Sequence, residues 1–170
     1  MSLSINIRLE DPGDIQGIHE LTVAAFNKAP HTDHTEQFIV KALRVAGALT
    51  VSLVAEDVTQ IVGHVALSPV SIASGLKGWY GLGPISVHPR DQGKGIGSQL
   101  MHVALAELKN IKANGCVLLG DPGFYHRFGF APMDGLVLAD VPHENFQALL
   151  LHGTHPEGAV TYHESFSAQS

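Results

Sequence analysis

Ile85-Ser86-Val87-His88-Pro89-Arg90-Asp91-Gln92-Gly93-Lys94-Gly95-Ile96-Gly97-Ser98-Gln99-Leu100 joins an apolar, strand-like segment to an amphipathic one through a turn with glycine at 93, 95 and 97. Apolar residues then recur at Ile96, Leu100, Val103, Ala104, Leu108 and Ile111, which is helical spacing. A strand that ends in a glycine turn opening a helix leaves several backbone N–H groups without intrahelical partners, and the helix dipole adds partial positive charge at the same end. Such a place binds phosphate. Glycine lets the main chain reach positive φ and lets a bulky anion approach the amides closely.

Spacing separates three phosphate loops that carry such glycines. A nucleotide-triphosphate loop needs a glycine five residues before its Gly-Lys and a Ser or Thr after it; His88 and Gly95 hold those places, so this reading is rejected. A dinucleotide fingerprint would use Gly93, Gly95 and position 98, but Ser98 stands where Gly or Ala is expected. About five polar or turn residues also separate the strand from Gly93, whereas a Rossmann turn follows its strand directly. A nicotinamide-dependent oxidoreductase therefore remains only the weaker alternative.

The third pattern fits better. Gln92-Gly93-Lys94-Gly95-Ile96-Gly97 resembles the Q/R-x-x-G-x-G/A signature of the GNAT superfamily of acyl-CoA-dependent N-acyltransferases, and it follows the strand ending Ile85-Ser86-Val87-His88-Pro89. Further on, Gly120-Asp121-Pro122-Gly123-Phe124-Tyr125-His126-Arg127-Phe128-Gly129-Phe130 is similar to the family's aromatic F-Y-x-x-x-G-F element. The resemblance covers roughly residues 5 to 135 and is closest to a bacterial subgroup with Gly-Asp-Pro before the tyrosine. It implies a GNAT-like α/β (α+β) fold: a mixed, mostly antiparallel central sheet with helices on both faces, and a V-shaped splay between two parallel central strands.

Composition sets the outer limits. A chain of 170 residues is expected to form one domain over its whole length. Hydrophobic residues make up 45% and charged residues 15%, against about 25% charged in ordinary soluble domains, so a compact core is expected. No run reaches the ~18 apolar residues of a membrane span. Met1-Ser2-Leu3-Ser4-Ile5-Asn6-Ile7-Arg8 lacks a charged leader, apolar run and cleavage site, and the expected location is the cytoplasm. Cys116 is the one cysteine; in the apolar run Cys116-Val117-Leu118-Leu119 it reads as a packed, inert thiol. A formal net charge of −6 argues against a nucleic-acid partner and is compatible with a cationic amine.

Along the chain, Ile5–Leu9 alternates as a half-buried strand. Asp11, Pro12 and Asp14 start a helix that runs to about residue 26. A second helix extends from about Thr35 to Val45 and stops at Gly47. Leu49–Glu56 and Ile61–Ile72 form strands across a short turn, with Gly63 read as a bulge, and Trp79–Val87 leads into the glycine loop. Cys116–Leu119 returns beside that strand by a helical crossover, hence parallel to it. Gly135–Leu138, Phe146–Leu151 and Ala159–Tyr162 read as short strands that complete the domain.

Acyl transfer to an amine needs a neutral amine, a polarised carbonyl and a stabilised or protonated thiolate. The resemblance implies acetyl-CoA as cosubstrate, with its pantetheine arm inserted where Ile85-Ser86-Val87 diverges from Leu118-Leu119-Gly120, and with the Val87 N–H facing the thioester carbonyl. It implies that Gln92, Gly93, Lys94, Gly95, Ile96, Gly97 and Ser98 hold the diphosphate, with Phe124 and Arg127 also at the cofactor. Solvated surface charge is the plainer reading of Lys94 and Arg127. Tyr125 is the implied general acid on the leaving sulfur; its plainer reading is a core aromatic beside Phe124, Phe128 and Phe130. Asp121 either caps the short helix opening at Pro122 or points into the cleft.

Many relatives carry a glutamate on the strand before the glycine loop, yet Trp79-Tyr80-Gly81-Leu82-Gly83-Pro84-Ile85-Ser86-Val87 has no carboxylate. This departure weakens the case for a direct side-chain base, and a water chain ending on Ser86, His88 or Glu56 is one alternative to it. There are 11 histidines, but neither His31 with His34 nor His152 with His155 has an evident third ligand, so no metal is expected. The expected function is transfer of an acetyl group from acetyl-CoA to an amine of a small molecule or peptide, by direct attack in a ternary complex. A non-catalytic CoA or acyl-CoA sensor of the same fold is the alternative. The family resemblance also suggests a homodimer.

Overall fold

Asp11 starts the first helix as its neighbours in sequence dictate. Its carboxylate accepts the Gly13 N–H at 3.1 Å, and Asp14 reaches back to the Asp11 N–H at 2.7 Å, a reciprocal cap that satisfies two otherwise orphaned donors. One 3-10 turn, Pro12–Asp14, runs directly into α1, Ile15–Phe26; α2 is Glu36–Val45. The computed structural model describes residues 4–30 and 32–170. Met1–Leu3, part of the leader reading, and His31, part of one histidine pair, lie outside the described residues.

The strands are β1 (Asn6–Leu9), β2 (Val51–Glu56), β3 (Ile61–Ile72), β4 (Trp79–Val87), β5 (Gly115–Leu119), β6 (Leu136–Val137), β7 (Phe146–Leu150) and β8 (Gly158–Tyr162). The main sheet runs β1-β2-β3-β4-β5-β7, with β8 pairing the far end of β3 and β6 pairing β8. Its neighbours are antiparallel except for β4 with β5, and β6 and β8 form a second parallel pair. The fold is therefore the mixed, mostly antiparallel sheet that the sequence predicts. The helix α3, Ile96–Asn110, is the crossover that makes β4 and β5 parallel, and α4, Pro122–Tyr125, follows β5.

Each face of the sheet is sealed by different helices because paired strand residues alternate between faces. Ile96, Leu100, Met101, Ala104 and Leu108 of α3 pack against Val51, Leu53, Ala55, Val65 and Leu67. On the other face Ile18 of α1 and Val40 of α2 cover Val54. Gly63 belongs to the first contact: a Cβ there would stand 3.0 Å from Ile96 Cγ2 and from Leu100 Cδ1. The register slip in this hairpin falls between Ala55↔Gly63 and Glu56↔Ile61, so Val62 is the extra residue. Gly63 is bare to let α3 close on the sheet. Similarly Ile111, assigned to the apolar helix face by periodicity, lies past the end of α3 and is exposed.

One constraint decides where the site lies. β4 and β5 pair only at Trp79↔Gly115, Tyr80↔Cys116 and Gly81↔Val117. Beyond Gly81, β4 slips against β3, from Leu67↔Leu82 to Val65↔Ile85, so that Gly83 and Pro84 stand opposite Ala66 alone. The extra residue falls in Gly83-Pro84, and Pro84 has no N–H to give to a ladder. β5 meanwhile pairs with β7 along its full length. The two parallel strands thus diverge in a V.

Where they still touch, Gly115 lies under the buried Trp79 ring, and a Cβ there would overlap that ring. Gly115→Ala should lower stability by about 1–3 kcal/mol through overpacking, read as an earlier urea midpoint with unchanged slope; an unchanged midpoint would show that Trp79 moves freely.

Candidate active site

The open side of the V is lined by main chain. His88 donates its N–H to the Val62 carbonyl of β3 at 2.9 Å. Successive amides along a strand point to opposite edges, so the Val87 N–H points away from β3, into the V. The Val87 carbonyl accepts Gln92 Nε2 at 3.1 Å, which ties the glycine loop back to the strand it leaves.

That loop bends through left-handed backbone at Gly93, φ +78°, and Gly95, φ +85°. At both, the space a Cβ would fill is open. The α3 N-cap is Gly95, which has no capping side chain, and the first bond into the helix runs from Gln99 N–H to the Gly95 carbonyl at 3.1 Å. The amides of Ile96, Gly97 and Ser98 therefore lack intrahelical partners and face outward at the positive end of the dipole. An anion seated there meets bare N–H groups and no side chain.

Ile85, Val87, Gln92, Gly93, Gly95, Ile96, Gly97, Ser98, Phe124, Tyr125 and Arg127, with Asp91, enclose a cleft of about 520 Å³. Eleven of the residues singled out in the sequence are thus brought together. Two stand apart. Lys94 Nζ bonds the buried Asp91 carboxylate at 3.3 Å and is not a cleft wall. The Ser86 side chain is buried on the other face of β4, leaving only its main chain near the V. Asp91, which the sequence did not mark, sits beneath the loop between Arg90 and Lys94; those two cations offset a carboxylate that would otherwise repel an anion.

Past β5 the chain turns over its own strand end. The Gly120 carbonyl accepts Asn145 Nδ2 at 3.3 Å and Gln147 Nε2 at 3.1 Å, and neither side chain stood out in the sequence. A Cβ at Gly120 would overlap the Tyr125 ring, so glycine lets Tyr125 lie close over the strand. Asp121 accepts the Gly123 N–H at 3.0 Å and caps α4. Phe124 meets Tyr125 and Phe128 edge to face at 4.8 and 5.4 Å, and the Arg127 guanidinium lies 4.6 Å from the Phe124 ring centre. Burial, with a smaller effect from the Asp121 carboxylate, pushes the Tyr125 phenol up. It stays protonated at neutral pH, as a proton donor must.

Among the described residues, Asp91 is the one carboxylate that lines the cleft. Glu56 is held by Arg8 at 3.0 and 3.1 Å, and His88 Nδ1 accepts the Arg90 N–H at 3.4 Å. On the opposite face of the sheet lies a buried polar chain that the sequence reading missed. His64 Nε2 is 2.7 Å from Ser52 Oγ, Ser52 donates to Glu10, and Glu10 is gripped by Arg44 through two bonds of 2.9 Å. The one signal for it was a histidine in the middle of the apolar run Ile61–Leu67. Among the described residues there is no cluster of metal-ligating side chains and no helix long and apolar enough to cross a membrane.

A sheet opened beside a bare-amide loop, with a half-buried phenol across the gap, is the arrangement of an acyltransferase that takes its acyl group from a long thioester carrier. Residues 49–132 match the family described as acetyltransferase (GNAT) domain, and this chain belongs to that family of N-acetyltransferases. It is 38% identical over 125 residues to the uncharacterized N-acetyltransferase YhbS of Escherichia coli K12, covering 73% of this chain and 72% of that one. A GNAT acetyltransferase from Brucella melitensis, crystallised with acetyl-CoA, matches with TM-score 0.86 and 47% identity over 96% of this chain and 98% of its own. The Escherichia coli YhbS crystal structure with CoA matches with TM-score 0.87 and 32% identity over 100% and 96%.

Burial holds the His64 imidazole down to about 4, while an unfolded histidine titrates near 6.5. Between those values the unfolded chain binds the extra proton, so stability rises with pH through this window and is lost as pH falls from about 6.5 toward 4. Urea titrations at pH 7.5 and pH 5 should show this loss in the wild type and a smaller one in His64→Gln; equal losses would mean that His64 is not the group responsible.

Proposed function

We propose that this acetyltransferase moves an acetyl group from acetyl-CoA to an amine of a small molecule or peptide, by direct attack within a ternary complex. The observation that carries this reading is the unpaired edge of β4 from Ile85 to Val87, opposite β5 and continuous with the amides of Gly93 to Ser98. An extended arm with amide groups of its own can bond that edge as a strand would, while a diphosphate sits on the loop. The relatives crystallised with acetyl-CoA and with CoA support the choice of carrier.

In this reading Gln92, Gly93, Gly95, Ile96, Gly97 and Ser98 hold the diphosphate, with Lys94 screening it from its place on Asp91. Ile85, Ser86 and Val87 hold the arm through main chain, and the Val87 N–H polarises the thioester carbonyl. Phe124 walls the arm, and Arg127, fixed over that ring, adds positive charge. As the amine nitrogen bonds to the acetyl carbon the carbon–sulfur bond breaks; the Tyr125 hydroxyl gives its proton to sulfur, and the nitrogen sheds one. The lone thiol, Cys116, is buried and pushed up by that burial, so no acyl-cysteine stage is invoked. A single cysteine, which can form no intrachain disulfide, suits a cytoplasmic location.

A CoA sensor is favoured by one feature, the absence of a free carboxylate in the cleft. Thiol release from acetyl-CoA across a panel of primary amines and peptide N-termini decides between them: an enzyme releases CoA with some acceptors, a sensor binds it and releases none above background. Tyr125→Phe should then lower kcat by about 10²-fold with the KM for acetyl-CoA little changed. Normal turnover in that variant would remove the acid role.

A further inference from the structure

Gly120 is under two opposed demands. Its missing side chain lets the Tyr125 ring lie over the end of β5, yet a glycine restrains its own peptide planes less than any other residue does. Two side-chain amides from outside the strand make up the difference. Asn145 Nδ2 at 3.3 Å and Gln147 Nε2 at 3.1 Å both donate to the Gly120 carbonyl, and the Gly120 N–H donates to the Asn145 carbonyl at 3.0 Å.

Gln147 is an unfavourable occupant of its site. It pairs across the sheet with Leu118, which belongs to the apolar core under α3, and it is fully buried with its Oε1 left without a hydrogen-bond partner. An unpaired acceptor in the interior is destabilising, and an apolar side chain of similar size would avoid it. What Gln147 adds at that position is the Nε2 bond to Gly120. The effect of that bond travels a short path. The peptide linking Gly120 to Asp121 is planar, so fixing the Gly120 carbonyl fixes the plane in which Asp121 begins. The Asp121 carbonyl accepts the N–H groups of Phe124 at 3.1 Å and Tyr125 at 3.2 Å, and its carboxylate accepts the Gly123 N–H. The first turn of α4 therefore hangs from Asp121. Tyr125 is held twice, by its ring against Gly120 and by its N–H on Asp121.

We propose that Gln147 and Asn145 are positioning residues for the acid: by clamping the Gly120 carbonyl they hold the Tyr125 hydroxyl at the point in the cleft where the sulfur departs. The inference rests on the acid role given to Tyr125 above. Tyr125 is part of the cleft wall and neither amide is, so both act through β5 and α4. Proton donation to a departing sulfur depends on distance and direction, and a displacement of about 1 Å can lower a rate by about 10²-fold. The clamp removes the freedom that a glycine under the ring would otherwise pass on to that hydroxyl. It has no part in binding the carrier, whose diphosphate and arm meet the glycine loop and β4. Its loss is therefore felt in turnover and not in affinity.

The test uses the full chain with the best acceptor from the amine panel. Gln147→Met, close to glutamine in size, removes one donor and Asn145→Ala the other. Each should lower kcat by about tenfold with CoA affinity by calorimetry unchanged, and the two together should approach the rate of Tyr125→Phe. In a Tyr125→Phe background neither should slow the enzyme further, because both act through that hydroxyl. The urea midpoint of Gln147→Met should be no earlier than that of wild type, since the unpaired Oε1 leaves the interior, so a lost rate is not a lost fold. Single variants within twofold of wild type overturn the clamp, as does a loss shared by CoA affinity or one that persists in full in the Tyr125→Phe background. Normal turnover in Tyr125→Phe alone removes the acid role itself, whereas a slow Tyr125→Phe beside normal Gln147→Met and Asn145→Ala removes only the clamp. Should Gln147→Met fail to fold, Asn145→Ala, at a half-buried position, is read by the same criteria.

Discussion

Two parallel strands that pair over three residues and then part are what the rest of the molecule is arranged around. The cause is local to β4, where Gly83-Pro84 inserts one residue against β3 and Pro84 withholds an N–H. The consequence is a length of strand edge with no protein partner. An open edge is normally a liability, because its N–H and C=O groups invite another chain. Here it is narrow, sunk between α3 and α4, and continuous with the glycine loop. Only a thin ligand with its own amides and an anionic end suits all of those features.

The sheet then sorts the chemistry by face. α3 and the Phe124–Phe130 aromatics close one side, where apolar packing raises the Tyr125 phenol and keeps it protonated. α1 and α2 close the other, where Ser52, His64, Ser68 and Ser86 interrupt an apolar layer. Burying such groups is unfavourable unless they are bonded. The Glu10–Ser52–His64 chain meets part of that demand, while His64 Nδ1, Ser68 Oγ and Ser86 Oγ on this face have no partner.

Local signals carried much of the fold. The cap at Asp11, the break after Val45, the strand alternation and the α3 periodicity all depend on neighbours within a few residues, so they could be read in order. The crossover through α3 makes β4 and β5 parallel, a consequence of element order alone. Gly63 shows where such reading stops. Its glycine suggested a bulge, but its reason is the approach of Ile96 and Leu100, more than thirty positions away in the chain. His64, Asn145 and Gln147 were missed for the same reason, since each matters through partners far off in the chain; Asp91 pairs with its neighbours Arg90 and Lys94, and only its burial beneath the loop was hidden.

The sequence by itself determined the class of the molecule. A glycine turn of set spacing opening a helix, and a tyrosine element downstream, are compact motifs whose function lies in main-chain geometry, and main-chain geometry is largely local. Tertiary structure alone decided how far β4 and β5 stay paired, which side of β4 each residue shows, and which buried groups are left unbonded. Those depend on register, where one inserted residue changes every neighbour that follows it, and a register is set between strands rather than within one.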